Sequence, residues 1–303
     1  MWSTAQTSAD SQTGPRQMSK RLIINADDLG LSRGITDGIL LAHREGILTS
    51  ASLMVNQPAT EYAVDHLSTV PKLDVGIHLN LCQGTPVLPA SAIPSLVNKD
   101  GNFHSPAEMG RKLVLCQVSP KEIEAEFLAQ IDRMLEHGVV PSHADSHHRF
   151  HIYPAAVRPF YRALQARGIH RARGAKKSHY PSNGELGGPH AGSIYRRIFV
   201  KSYNELLQSV VFRNLTLPDA GVAFHPRYRG NLALLRDAWT STFENLPAGT
   251  YEMWCHPGFR EAGFSETDAM GEQREIEISI LTDPQVREIV NRAEINLVTF
   301  SDL

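Results

Sequence analysis

Short apolar runs alternate with longer amphipathic segments along most of this chain. The runs are typical of buried strands, and the segments between them place apolar residues at helical three-to-four spacing. The strands predicted from this pattern span residues 21–26, 51–55, 73–79, 142–146, 168–172, 221–224, 250–255 and 295–299. Repeated alternation of strand and helix favours a single α/β domain built as a (β/α) barrel, with a doubly wound open sheet as the structural rival.

Three of the helical segments begin with a recognisable cap. Ser32 directly precedes the first amphipathic stripe, and Asp283 precedes Pro284, a residue suited to the first helical position. Ser119 and Glu122 have the spacing of a capping box, with a proline directly after the serine. These residues predict where three of the helices begin.

The chain divides into an N-terminal extension and one domain with two long loops. Residues 1–19 are rich in Ser, Thr, Gln and Asp, with neither the apolar stretch nor the small-residue cleavage site of a secretory signal. They are predicted to be a disordered extension, and residues 20–303 to form the barrel domain. The connections 82–118 and 174–193 are too long for simple turns. Both follow a predicted strand, so a barrel would place them over its catalytic mouth.

Composition and charge narrow the classes of function. The net charge of the 303-residue chain is -2, so its charge gives no reason to expect nucleic acid or an anionic membrane as a partner. No apolar run approaches the ~20 residues that span a bilayer, so no integral membrane segment is expected. Cys82, Cys116 and Cys255 are too few and too widely spaced for a disulfide framework, which fits a reducing, cytoplasmic location.

Acidic and imidazole side chains follow the predicted strands. Asp27 and Asp28 close the first run, and His78 lies in the third strand, opposite to its apolar residues. The carboxyl ends of barrel strands meet at one face, so these groups are expected to converge. An acid with two histidines can hold a divalent cation with an open coordination position, and a second acid is then free to act as a base. The alternatives are helix capping for the two acids and a hydrogen-bonded core position for His78.

The second histidine comes from residues 143–151, which hold four of the 14 histidines of the chain. Period-two alternation places His143, Asp145 and His147 on one side of the strand and His148 on the other, if the strand continues that far. The pattern alone leaves the choice between His143 and His147 open. An acid beside an imidazole also suits the support of a ligand ring, because a ligating histidine usually donates its other N–H to a carboxylate or carbonyl. The alternative is a solvated polar loop.

Three further side chains carry candidate chemistry. His256 follows the run of residues 251–255, where a histidine outside the metal shell would protonate a leaving group. His225 ends another run, and both histidines precede a proline, so a turn residue is the alternative for each. Cys82 lies four residues after His78, where it would ligate zinc or fill the core. The sequence contains no serine-nucleophile elbow, Walker loop or dinucleotide fingerprint, so covalent serine chemistry and nucleotide use have no support.

Five ungapped signatures occur in order along the chain. They are NADDLGLS at 25–32, GILTSASLMVN at 46–56, GIHLNL at 76–81, DSHHRFH at 145–151 and CHPGF at 255–259. With them the chain resembles the YdjC-like carbohydrate deacetylases, relatives of chitooligosaccharide deacetylase, across about residues 20–303. The resemblance implies a distorted, TIM-like (β/α) barrel that removes acetyl groups from N-acetylated amino sugars. It also implies one divalent cation, Mg²⁺ or Zn²⁺, with other transition metals as alternatives.

Carried over position by position, the resemblance implies roles for individual residues. It implies that the metal ligands are Asp28, His78 and His147. It implies that the general base is Asp27 and that the acid is His256. The resemblance selects His147 where alternation leaves His143 equally placed. The chain departs from the family pattern at Leu29, where a phenylalanine is common, and at Arg149, where a third consecutive histidine often lies.

The expected reaction is hydrolysis of the acetyl amide to acetate and a free amine. The expected partner is an acetylated amino sugar, as an oligosaccharide or a glycoconjugate, and the resemblance adds a homodimer, since relatives are often dimers. Two rival functions stay open: a metal-dependent sugar isomerase or epimerase, whose metal shell more often holds further carboxylates, and a non-catalytic sugar-binding barrel. The complete set of candidate site residues argues against the second rival.

Overall fold

A parallel sheet forms the centre of the computed structural model, which describes residues 19–178, 202–224, 228–261 and 270–303. The strands are β1 (Lys20–Leu29), β2 (Ser50–Leu53), β3 (Asp74–Leu79), β4 (Ala144–Ser146), β5 (Lys177–Ser178), β6 (Ala220–Val222), β7 (Gly249–Cys255) and β8 (Ile295–Leu297). Their order is β4-β3-β2-β1-β7-β6-β5, with β8 also paired to β1, and all of these pairings are parallel. The predicted extension up to residue 18, the loop 174–193 beyond residue 178, and His225 lie outside the described residues.

The sheet curls, and two single-residue bridges connect its edges. One parallel bridge joins Ala144 to Ala172 and another joins Arg171 to Thr216, so β4 is linked to the segments that lead into β5 and β6. This confirms the predicted distorted (β/α) barrel. The predicted strand 168–172 contributes only these bridges, because regular pairing with β6 begins five residues later, at β5.

Helices cover the outer face of the sheet. They are α1 (Arg33–Arg44), α2 (Thr60–Leu67), α3 (Pro106–Val114), α4 (Pro120–Glu136), α5 (Val157–Ala166), α6 (Leu232–Glu244), α7 (Gln273–Leu281) and α8 (Pro284–Arg292). Shorter helical turns span Ala90–Ala92, His147–Ile152, Leu207–Val211 and Phe300–Asp302. In the described part of the chain, no helix has both the length and the apolar character needed to cross a bilayer.

Side chains predicted as caps begin these helices, with one difference. Ser32 Oγ accepts a hydrogen bond from Ile35 N at 3.3 Å, as predicted for α1. Ser119 Oγ likewise accepts from Glu122 N at 3.4 Å. The carboxylate of Glu122, however, binds Ser95 N and Oγ at 2.8 and 2.7 Å. Glu122 thus fixes the long loop after β3 instead of completing the predicted capping box.

Alternate residues of β1 face two different environments. Leu22, Ile24 and Ala26 are buried in the apolar core between the sheet and the helices. Asn25 and Asp27 face the interior of the barrel, which is polar. The buried interior side chains, joined to one another by hydrogen bonds or ion pairs, are Asn25, Ser52, His78, His143, Asp145, Arg173 and Glu252. Buried polar groups are costly unless paired, so this connected interior is a structural feature as well as a place for chemistry.

Candidate metal centre

The acid pair lies at the carboxyl end of β1, where the strand changes register. The pairing of β1 with β2 shifts between Ala26 and Leu29, and Asp28 has a left-handed φ of 71°. Successive residues of a regular strand point to opposite faces. The irregularity re-aims a side chain, as bulges do, and allows Asp27 and Asp28 both to lie at the mouth of the barrel. Both carboxylates are buried.

Asp28 Oδ1 lies between the two predicted histidine ligands. This oxygen is 3.1 Å from His147 Nδ1 and 3.6 Å from His78 Nε2. The candidate ligand atoms of the three side chains all lie within 4.8 Å of one another. Two ligands that share one cation at about 2.1 Å are roughly 3.0–3.4 Å apart, so this spacing is close to that of a metal site.

Two unpaired atoms also fit a cation at this position. Asp28 Oδ1 and His78 Nε2 are buried, yet neither has a hydrogen-bond partner among the described residues. Buried polar atoms nearly always have a partner, so two unpaired polar atoms at one point call for one. One carboxylate and two imidazoles are suitable donors for a divalent cation. The residues present therefore fit the predicted metal.

Asp145 orients the ring of His78. His78 Nδ1 lies 2.7 Å from Asp145 Oδ1, so Nε2 is the nitrogen turned toward Asp28. Burial lowers the pKa of His78, but the surrounding carboxylates, Asp145 first among them, outweigh burial and raise that pKa to about 9. A carboxylate that holds the far nitrogen of a ligand ring fixes both its orientation and its tautomer. Asp145 thus supports a predicted ligand ring, as the sequence suggested for an acid beside an imidazole.

Arg173 joins the acids of the interior, and the sequence pattern does not single it out. It is 1% exposed, and its NH1 and NH2 donate to Asp27 Oδ2 and Oδ1 at 2.9 and 2.6 Å. NH2 also lies 2.8 Å from Asp145 Oδ2, and Nε donates to Glu252 Oε1 at 2.7 Å. Burial lowers the pKa of Arg173, but these carboxylates outweigh it and hold the pKa well above its ordinary value. One signal could have found Arg173: it directly follows the predicted strand 168–172.

α7 supports the centre from the other side. Arg274 NH2 donates to Asp28 Oδ2 at 2.9 Å, which leaves Oδ1 turned toward the histidines. Glu277, one turn further along α7, accepts a hydrogen bond from the backbone N of His256. The His256 ring is partly exposed, and its Nε2 lies 3.9 Å from Asp27 Oδ2. Burial raises the pKa of Asp28, but interactions with His147 and with the Arg274 guanidinium outweigh burial and hold this pKa well below its usual value.

His143 and His148 are not members of the cluster of Asp28, His78 and His147. His143 is fully buried and stacks on Phe300, with 3.7 Å between ring centroids. His148 has a left-handed φ of 54°, and its ring lies 4.4 Å from that of His147. The predicted alternation required a strand that continues to His148, and this condition is not met, because β4 ends at Ser146 and the chain turns. Burial, with the charge of His147 second, lowers the pKa of His148 to about 4.

Cys82 and an open groove border the centre. Cys82 is buried and free, and burial, reinforced by the charge of Asp28, raises its pKa to about 12. The groove has a volume of about 550 Å³ and begins at His148. Its other walls are α3 and the aromatic rings of Phe150 and Tyr153, with Arg111 as the charged member. The groove provides room for a ligand much larger than an acetyl group beside the metal centre.

Comparison with known proteins identifies the family. The model of the family described as YdjC-like protein matches residues 21–292. The chain belongs to the YdjC-like family. It is 32% identical to a carbohydrate deacetylase of Geobacillus stearothermophilus, in an alignment that covers 94% of this chain and 98% of the relative. It is 30% identical to a carbohydrate deacetylase of Halalkalibacterium halodurans, over 89% of this chain and 98% of the relative.

A solved structure shares the architecture of this YdjC-like protein. It comes from Enterococcus faecalis V583 and is provisionally described as a cellobiose-phosphate cleavage protein. The two chains are 26% identical and superpose with a TM-score of 0.77, over 94% of this chain and 98% of the other. The family predicted from the five signatures is thus confirmed. The roles of individual site residues, the domain limits, the homodimer and the cytoplasmic location stay predictions.

Proposed function

We propose that this YdjC-like protein is a carbohydrate deacetylase that uses a divalent cation to hydrolyse the acetyl amide of an N-acetylated amino sugar. The products are acetate and the free amine. One observation carries the proposal: Asp28, His78 and His147 converge on one point, with the acid Asp27 directly beside them. Relatives that are aligned over most of their length and named carbohydrate deacetylases support the same reading.

Three side chains of this chain would hold the cation. Asp28 Oδ1, His78 Nε2 and His147 Nδ1 face one another, and Asp145 and Arg274 fix the far sides of two of these groups. Nitrogen and oxygen donors of this kind suit Zn²⁺ and manganese-like ions, and Mg²⁺ is the family alternative. When bound, such a cation polarises a carbonyl oxygen and lowers the pKa of a water molecule, effects worth several kcal/mol.

Asp27 is the proposed general base. It accepts two hydrogen bonds from Arg173, which fix the plane of its carboxylate, and it is not a member of the cluster of Asp28, His78 and His147. A carboxylate so held can take the proton of a water molecule as that water attacks the acetyl carbon. Arg173 is a positioning residue in this scheme, since it acts through Asp27.

His256 is the proposed acid. Its Nε2 lies 3.9 Å from Asp27 Oδ2, and the partly exposed ring faces the mouth. As the C–N bond breaks, His256 donates a proton to the departing nitrogen, which would otherwise leave as a poor anionic group. The groove beyond His148 would hold the sugar, with the rings of Phe150 and Tyr153 available for stacking.

Acetate release from N-acetylated amino sugars tests the proposal. The purified protein, stripped with a chelator and then reloaded with Mg²⁺, Mn²⁺ or Zn²⁺, is incubated with N-acetylglucosamine oligomers. Asp27→Asn is expected to keep its cation affinity and to lose turnover by about 10²–10⁴-fold, the usual range for a general base. Asp37→Asn is the control, because Asp37 is an exposed aspartate of α1 that accepts a hydrogen bond from the Tyr62 hydroxyl.

Other outcomes would decide against this function. Full activity in Asp27→Asn refutes the base assignment. Sugar interconversion without acetate favours the isomerase or epimerase rival. Bound metal without turnover on any acetylated sugar favours the non-catalytic barrel.

A further inference from the structure

Cys82, His147 and His148 form a second group of candidate ligands next to the first. Their sulfur and nitrogen atoms all lie within 4.8 Å of one another. We propose that these three side chains bind a thiophilic divalent cation of the zinc and cadmium class, in competition with the cation of Asp28, His78 and His147. Only the regulatory consequence of this second site rests on the proposed deacetylase function.

The loop after β3 fixes Cys82 beside the centre. The residue is 5% exposed, and its backbone N donates to Asn80 Oδ1 at 3.0 Å. Gln130 of α4 holds Asn80 at both backbone atoms: its Oε1 accepts from Asn80 N at 2.9 Å, and its Nε2 donates to Asn80 O at 2.7 Å. A thiol on such a framework is already placed for ligation, as a functional site requires.

His148 reaches the same place because of the unusual backbone after β4. Both His148 and Arg149 have left-handed φ values, 54° and 56°. An extended strand would send His147 and His148 to opposite faces, whereas their rings here are 4.4 Å apart. Arg149 NH2 anchors this turn by donating to the carbonyl oxygens of Gly174 and Ala175. Strained backbone of this kind is concentrated at functional sites, and here it brings a second imidazole to the mouth.

The donor set differs chemically from that of the first cluster. Sulfur selects zinc and softer ions, whereas Mg²⁺ prefers oxygen and keeps several waters. One thiolate and two imidazoles match the three protein donors of zinc sites that keep a fourth position open. Binding exchanges the thiol proton, which is released to solvent, for a bond between sulfur and the cation.

His147 belongs to both groups, which makes their occupation mutually exclusive. A neutral imidazole has a lone pair on only one of its two nitrogens, so His147 ligates one cation at a time. A cation held by Cys82 and His148 therefore withdraws His147 from Asp28. Excess Cd²⁺ is therefore expected to inhibit the protein loaded with Mg²⁺.

Titration with Co²⁺ tests the site without reference to turnover. Coordination of cobalt by a thiolate gives a charge-transfer absorption in the near ultraviolet that nitrogen and oxygen donors do not give. The metal-free full chain and Cys255→Ser are expected to develop this band, and Cys82→Ser and Cys82→Ala to lack it. Cys255 is the matched control, because it is also a buried free cysteine. A wild-type protein without the band, or an unchanged band in folded Cys82→Ser, overturns the proposal.

Inhibition of acetate release tests the competition. With Mg²⁺ present, the Cd²⁺ concentration that halves activity is expected to be at least ten-fold higher for Cys82→Ser than for wild type. Equal sensitivity of the two proteins overturns the competitive part. A cobalt band in a protein that deacetylates no sugar supports the site and contradicts the proposed function, so the two failures are distinguishable.

Discussion

Asp27 and Asp28 are neighbours in the chain, yet a different arginine holds each of them. Arg173 binds both oxygens of Asp27, and Arg274 binds Oδ2 of Asp28. Two adjacent carboxylates without such partners would repel each other and favour protonation of one. The arginines compensate both negative charges, and Oδ1 of Asp28 lies between His78 and His147. The division of work between base and ligand thus rests on the two arginines.

Arg173→Lys is expected to lower kcat for acetate release by about 100-fold. Lysine keeps the charge but cannot bind both oxygens of Asp27 in one plane, and a base displaced by an ångström loses this much. Cation affinity should change little, because Arg173 contacts none of the three proposed ligands. Steady-state kinetics and calorimetric titration of the cation measure the two effects. A wild-type kcat in Arg173→Lys would show that the two hydrogen bonds from Arg173 do not position Asp27.

Removal of the charge altogether should destabilise the fold. Arg173→Gln leaves Asp27, Asp145 and Glu252 buried without their common partner, a loss of about 3–5 kcal/mol in the free energy of unfolding. Arg167→Gln is the matched control, since Arg167 makes a similar two-point contact with Asp132, at 2.5 and 2.7 Å, but on the surface. It should cost no more than about 1 kcal/mol. Urea unfolding monitors both, and similar losses would contradict the importance of the buried network.

Position after a strand made some site residues predictable and left others hidden. Asp27, Asp28 and His78 stand at the ends of clear apolar runs, so their convergence follows from the barrel. The orientation of His148 could not be predicted in this way. The left-handed φ of His148 is fixed by contacts of Arg149 that are distant in sequence, including the Arg149 guanidinium over the ring of Trp254. No local pattern encodes those contacts.

At the scale of elements, α7 connects the two halves of the centre. Arg274 and Glu277 lie one turn apart on the same side of the helix, and they hold Asp28 and the backbone of His256 respectively. Gln273 completes the set: its Nε2 donates to Glu277 Oε1 at 2.8 Å, and its Oε1 accepts from Gly230 N at 3.0 Å. A displacement of α7 would therefore move a metal ligand and the proposed acid together.

Arg274→Ala is expected to destabilise the metal-free protein by about 3 kcal/mol, because it leaves the buried Asp28 carboxylate short of positive charge. A bound divalent cation supplies that charge, so the loss should shrink when metal is present. Thermal unfolding with and without cation measures this as a larger metal-induced rise in Tm than in wild type. Arg292→Ala, which removes an exposed pair with Glu244, should leave the metal-induced rise unchanged. Equal destabilisation of Arg274→Ala in both states would show that Arg274 and the cation do not act on the same charge.

The strength of the local signal decided which elements were predictable. β1, β3 and β7 come from runs of apolar residues, and their predicted limits lie within a few residues of the observed ones. β5 is two residues long, Lys177 and Ser178, and has no apolar signal at all. The capping box predicted at Ser119 does not form for another reason. Ser95, a loop residue distant in sequence, binds the carboxylate of Glu122 instead. Pairing partners of this kind are set by the tertiary fold.

At the scale of the whole molecule, the barrel buries imidazoles that must stay neutral. His143 and His151 are both fully buried in and beside the polar interior. Burial lowers the pKa of His143 from 6.5 to about 4, and burial followed by the charge of Arg149 holds the pKa of His151 well below its ordinary value. The unfolded chain gains protons at these positions at a higher pH than the folded protein does. Stability should therefore decline on the acid side of neutrality.

The contribution of His143 to the free energy of unfolding can be isolated by its dependence on pH. Its folded pKa lies below the unfolded one, so its share of stability is complete above pH 6.5 and is lost as the pH falls toward about 4. The loss is about 1.4 kcal/mol per pH unit within that window. Urea unfolding at pH 7, 6, 5 and 4.5 should give a steeper decline for wild type than for His143→Gln, which cannot titrate. Asp145 has a lowered pKa, so its own contribution is lost only as the pH falls toward the ordinary aspartate pKa of about 3.9, below most of this window, and both proteins contain it. Identical slopes in the two proteins would mean that His143 is protonated inside the fold, and that the polar interior tolerates another positive charge.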